Sequence, residues 1–165
     1  MKTLIIYVSI HHKNTEKIAK KMADVLKAKL STPDEVDPNT VNKYDLIGFG
    51  SGIYFGKFHK SLLNLIDKMP PVKNKKSFIF STSGIKKLPY LNDFNKKIKE
   101  KLLEKGFDII GEFSCKGLST YGPFKIIGLN KGRPDEKDLE RAEKFAIHLK
   151  SSFTGKTSAP RKVFK

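Results

Sequence analysis

An α/β fold is predicted, a three-layer, doubly wound sheet of five parallel strands in the order 2-1-3-4-5. Three observations predict it. Continuous apolar runs recur along the 165 residues, as they do in strands covered on both faces. Between the runs lie stretches whose apolar residues return every three or four positions, the period of an amphipathic helix. Strands alternating with helices imply right-handed crossovers and helices on both sides of a parallel sheet.

Leu4-Ile5-Ile6-Tyr7-Val8 is the first run, read as a buried strand. Ile18, Met22, Leu26 and Leu30 follow at i+4 spacing with lysines between them, an amphipathic helix. The second strand is weakly marked and is placed at residues 28–31, before an acidic, proline-containing segment from Ser31 to Asn42. Residues 45–50 give the third strand, and Leu62, Leu63, Ile66 and Met69 a short helix stopped by Pro70-Pro71. Ser77 to Ser81 is the fourth strand; Leu91, Phe94, Ile98 and Leu102 mark a helix ended by Gly106. Phe107 to Phe113 is the fifth. A long connection, residues 116–132, carries Tyr121, Phe124, Ile126 and Ile127, and its length and apolar content fit a lid, a partner surface or a dimer contact. Leu139, Ala142, Phe145, Ala146 and Leu149 form the closing helix, with acids in its first turn as the macrodipole favours. Residues 1–153 are expected to be a single domain, and 154–165 a basic, flexible tail.

Composition narrows the function. The one cysteine, Cys115, cannot support an intramolecular disulfide framework. With no secretory pattern at the start, a cytoplasmic location is expected. The apolar runs are too short for a membrane span. Lysine and arginine number 33 against 17 acids, a net charge of +16. Residues 71–105 hold ten basic and three acidic residues, so the excess is uneven. Such a balance speaks to partners and association rate rather than to fold. It also suits a solvated, lysine-rich surface.

In an open sheet of this order, ligands bind beyond the carboxyl ends of the strands, where the order reverses between the first and third. Three segments there are rich in small polar residues, glycine or aromatics. The first is Ser9, Ile10, His11, His12, Lys13, Asn14 and Thr15, which precedes the first helix. Its hydroxyls and amides stand beside free N–H groups at a helix N-terminus, an anion site, although Asn14 or Thr15 could instead serve only as a helix cap. The adjacent histidines lack accompanying Cys, Asp or Glu, so no metal site is expected. The second is Ser51, Gly52, Ile53, Tyr54, Phe55 and Gly56, where glycines admit a flat ligand and two aromatics can stack on it. The third is Ser81, Thr82, Ser83 and Gly84, a wall of backbone donors and acceptors.

Taken together, these residues resemble the flavodoxin-like proteins, over essentially all of residues 1–150. Ser9 through Asn14-Thr15 is similar to the family's phosphate loop, one residue longer and with His11-His12-Lys13 where a Thr-Gly pair is commoner. Gly50 to Gly56 resembles the loop beside the isoalloxazine ring, and Ser81 to Gly84 the loop on its other side. Residues 111–117 and 130–134 resemble a bacterial and archaeal flavodoxin-like subfamily. The resemblance implies FMN held non-covalently by the residues of these three segments other than Ile10, with no catalytic side chain. It implies electron transfer between redox partners. Because the surface is basic, with Lys96, Lys97, Lys99, Lys101 and Lys105 on the helix before Gly106, an acidic redox protein is the expected partner.

Residues 51–59 are also similar to a loop of the flavodoxin-like, menaquinone-dependent protoporphyrinogen oxidases, which implies as an alternative an FMN-dependent oxidoreductase of a quinone or porphyrinogen-type small molecule. A nucleic-acid-binding domain with a lapsed flavin site is a second alternative, supported by charge alone, since no binding motif is present. A phosphoryl-receiver role is excluded, because the ends of the first and third strands hold Ser9, Ile10, Gly50 and Ser51 rather than acids. Thr154 to Thr157 mimics a phosphate-binding P-loop, but Lys150 stands at the leading glycine. Monomer and homodimer are both compatible with the sequence.

Overall fold

The computed structural model describes residues 1–84, 93–120, 128–153 and 163–164. Within them, β1 (Thr3–Val8), β2 (Lys29–Ser31), β3 (Leu46–Tyr54), β5 (Lys75–Ser83) and β6 (Phe107–Lys116) form a parallel sheet in the spatial order β2-β1-β3-β5-β6. That is the expected 2-1-3-4-5 order. A short strand β4 (Lys57–Phe58) turns back antiparallel on β3, and β7 (Val163–Phe164) pairs parallel with β6 at the sheet edge. The sheet therefore has two strands beyond the five expected. Residues 154–162 of the tail, the start of the predicted helix at Leu91, and the apolar residues 121–127 of the long connection lie outside the described residues.

The two faces carry separate cores. On one, α1 (Asn14–Leu26) and α4 (Glu136–Phe153) bury Ile18, Met22, Phe145 and Leu149 against Ile5, Phe78, Phe80 and Phe113. On the other, α2 (Lys60–Lys68) and α3 (Lys96–Glu104) bury Leu62, Ile66, Ile98 and Leu102 against Ile6, Phe49, Ile79 and Phe107. Alternate residues of each strand serve alternate faces, so a strand covered on both sides must be apolar throughout. Helix α1 ends at Leu26, because Lys27 takes a left-handed conformation; Leu30, expected at the end of that helix, lies in β2 instead. The acidic segment that follows folds into two short 3-10 turns, Pro33–Glu35 and Pro38–Lys43.

Close packing explains two of the glycines in β3. A Cβ at Gly48 would lie 2.3 Å from the Phe78 ring, and one at Gly50 2.0 Å from the Phe80 ring. Both phenylalanines lie flat across β3 and fill the α1–α4 side. No described helix is long and apolar enough to cross a membrane.

Candidate functional site

The first segment forms the turn between β1 and α1, at the strand-order reversal. His12 and Lys13 both adopt left-handed backbone conformations, with φ of 56° and 52°. Lys13 is the N-cap residue of α1, and its side chain makes no capping bond. The cap expected from Asn14 or Thr15 is absent too, since both side chains point elsewhere. Asn14 Nδ2 donates to the Leu118 carbonyl at 2.8 Å, and the Thr15 hydroxyl lies 2.8 Å from that of Thr82. Ser9 Oγ takes the Glu16 amide at 3.3 Å. Among the described residues, the amides of His11, His12, Lys13, Asn14 and Thr15 have no backbone acceptor. Unbonded N–H groups at a helix start are donors of the kind that suit an anion.

The second segment is mostly strand. β3 continues through Ser51, Gly52, Ile53 and Tyr54, and only Phe55 and Gly56 turn, both at positive φ (50° and 75°), into β4. Such a two-residue turn matches the right-handed twist of a hairpin. The Ser51 hydroxyl is engaged within the fold, accepting from the His59 amide at 3.0 Å and donating to the Gly52 carbonyl at 2.6 Å. Phe55 stands at the tip, 83% exposed. Tyr54 turns back toward the first segment, where its hydroxyl accepts from the Ile10 amide at 3.2 Å. Burial raises the Tyr54 phenol above its ordinary pKa, and the Ile10 amide pulls the other way.

The third segment also extends a strand: β5 runs through Ser83, with Ser81 and Thr82 buried. The structure thus brings the first and third segments together through Thr15 and Thr82, and the first and second through Ile10 and Tyr54.

Sequence reasoning offered a lid, a partner surface or a dimer contact for residues 116–132 but placed none of them in the site, and the described ends of that connection do bond to it. His12 Nε2 lies 2.9 Å from the Thr120 hydroxyl, and Asn130 Nδ2 donates to the carbonyls of Gly84 and Gly117 at 2.8 and 3.2 Å. Ser119 and Leu129 pair through two backbone bonds, so both ends of the connection are fixed to the site. Gly117 was the available signal, since a Cβ there would sit 2.7 Å from Asn14 Nδ2. His59, at the N-cap of α2, accepts from the Ser61 amide through Nδ1 at 3.3 Å, and burial followed by the Lys60 charge lowers its pKa. Cys115, at the end of β6, packs against the α1–α4 core, and burial pushes its thiol up to about 12.

A doubly wound parallel sheet whose loops meet at its reversal point is an α/β fold of the mononucleotide-binding class. The chain belongs to the flavodoxin domain family, whose model matches residues 4–159. It is 56% identical over 148 residues to an uncharacterized protein of Methanocaldococcus jannaschii, covering 88% of this chain and 96% of that one. Among solved structures it resembles oxidised flavodoxin 2 from Bacillus cereus, with a TM-score of 0.69 and 22% identity over 95% of this chain and 100% of that chain. It also resembles rubredoxin oxygen:oxidoreductase from Desulfovibrio gigas, with a TM-score of 0.71 and 18% identity over 96% of this chain and 37% of that chain.

The family implies a flavin cofactor, and the residues present fit one. The unbonded amides of residues 11–15 suit a phosphate, and the exposed ring of Phe55 suits a flat heterocycle.

Proposed function

We propose that the protein binds one FMN non-covalently at the carboxyl edge of the sheet and passes electrons to and from an acidic redox protein. The observation that carries this reading is the set of unbonded amides from His11 to Thr15 at the β1–β3 reversal point. Bound FMN supplies the redox chemistry, and the protein supplies binding, orientation and electrostatics. The backbone of residues 11–15 binds the phosphate, with Lys13 adding charge. Phe55 and Gly56 on one side and Ser83 and Gly84 on the other hold the ring. The buried Ser51 hydroxyl bonds the Gly52 carbonyl and the His59 amide, and the Thr82 hydroxyl meets that of Thr15. The name of the Desulfovibrio protein, an oxidoreductase with a stretch of this shape, supports a redox role.

Of the five lysines expected to face a partner on and beside α3, Lys96 and Lys97 are exposed, and the other three are engaged within the fold. Lys99 pairs with Glu112 at 2.6 Å, Lys101 bonds to Asp67, and Lys105 donates to the carbonyls of Asp67 and Met69, each at 2.8 Å. Those three charges are matched within the fold. Exposed lysines also stand at the carboxyl edge: Lys13, Lys57, Lys60, Lys116 and Lys131. That edge is where an electron has the shortest path out, so an acidic partner docks there.

Stopped-flow oxidation of the reduced, FMN-loaded protein by an acidic ferredoxin-type acceptor tests the reading. Raising ionic strength from about 0.01 M to about 0.15 M shortens the screening length from about 30 Å to about 8 Å, and the second-order rate is expected to fall by about tenfold or more. A rate that does not change with salt contradicts steering by the lysine edge.

A further inference from the structure

We infer that Asn130 is a positioning residue that fixes the Ser83–Gly84 wall of the cofactor site, an inference that rests on the FMN reading above. The ladder of β5 with β6 ends at Ser83, opposite Lys116, so Gly84 lies past the last strand pair. Two stretches outside the three segments of the site, 111–117 and 130–134, meet at this point. Asn130 Nδ2 donates to the Gly84 carbonyl at 2.8 Å and to the Gly117 carbonyl at 3.2 Å. A carboxamide carries two N–H protons, so one side chain serves both carbonyls. The Gly117 amide donates in turn to the Ser83 carbonyl at 2.9 Å.

Packing closes the same junction. A Cβ at Gly84 would lie 2.8 Å from Ser119 Cβ and 3.7 Å from Leu129 Cδ2, so the wall rests directly on the connection. Ser119 and Leu129 exchange backbone bonds of 2.9 and 2.7 Å, which seats Asn130 next to the wall. Asn130 has a φ of 59°, and its carbonyl accepts from the Arg133 amide at 3.1 Å to close a turn. The position thus requires a left-handed backbone and a short side chain with two donors, a combination that asparagine supplies. A wall already held in the unliganded protein costs the cofactor no ordering on binding. Without the Asn130 carboxamide, binding has to order Gly84. The loss concerns the ring and falls alike on flavins with and without a phosphate.

FMN and riboflavin share the ring and differ in the phosphate. Their dissociation constants are measured by quenching of flavin fluorescence on the wild-type protein, Asn130→Gly and Asn130→Asp. Asn130→Gly keeps the left-handed backbone free of strain, Asn130→Asp keeps the side-chain shape, and both remove the donors. Each is expected to weaken both flavins in the same proportion, by about tenfold, as the loss of one or two neutral hydrogen bonds would. The visible circular dichroism of the bound flavin is expected to change as well, a signal that lost stability elsewhere in the fold does not move. In the unliganded wild-type protein, the Gly117 and Ser119 amides are expected to exchange slowly with solvent. A loss confined to FMN, a lowered urea midpoint as the sole change, or fast exchange of those two amides overturns the inference and leaves the FMN reading standing. A wild-type protein that binds neither flavin overturns the reading and the inference with it.

Discussion

Lys13 carries a backbone cost. A residue with a Cβ in the left-handed region costs about 1–2 kcal/mol, and Lys13 sits there at φ 52° directly after His12 at 56°. The pair lies within the turn whose amides have no backbone acceptor, so the unfavourable conformation falls where the proposed phosphate site is. Glycine takes this conformation freely but loses more backbone entropy on folding. Lys13→Gly is therefore expected to raise stability by about 0.5–1 kcal/mol, read as a higher urea midpoint at unchanged slope. A lower midpoint would show that the Lys13 side chain contributes more to the fold than its backbone strain removes. Tyr54 marks where residue chemistry alone was not enough: the sequence shows an aromatic between glycines, whereas the direction of its hydroxyl depends on Ile10, 44 positions away.

At the level of elements, apolar runs were readable because their residues are buried on both faces. The ends of β3 and β5 were not. Ser51 to Tyr54 and Ser81 to Ser83 are polar or mixed, yet they continue the ladder, Ser51 opposite Ser81 and Ser83 opposite Lys116. Backbone bonds extend a strand whatever its side chains are, and periodicity records only side chains. The α3 lysines were unreadable for a similar reason, since their partners Asp67 and Glu112 belong to other elements. Helix α4 begins with a comparable long-range arrangement. Asp138 is fully buried, accepts from Arg133 Nη2 at 2.9 Å and from Arg141 at 3.1 Å, and forms an ion pair with Arg133 Nε at 2.8 Å, while Arg141 also donates to the Ser114 carbonyl at 3.2 Å. Removing one partner of a buried charge network leaves the others uncompensated. Asp138→Ala is expected to cost about 3 kcal/mol in chemical denaturation, with the break felt between α4 and the end of β6. A loss below about 1 kcal/mol would place the network with ordinary surface pairs.

For the whole molecule, strand order follows from a few local signals, because alternation and crossover handedness leave few topologies. Charge behaves differently. The excess of 16 positive charges is visible in the sequence, but which lysines remain available is settled only when the acids find their partners. Exposed Lys13, Lys57 and Lys116 all lie at the carboxyl edge, as does the turn that presents the unbonded amides. In the proposed function, one place serves both the cofactor and its acidic partner. The measurement that tests this account most directly is the absorption spectrum of the purified protein after incubation with FMN and desalting. Flavin bands retained at about one FMN per chain are predicted, the single site that a doubly wound sheet offers at its reversal point. A colourless protein would contradict the account, and the amides of residues 11–15 would then belong to a different anion.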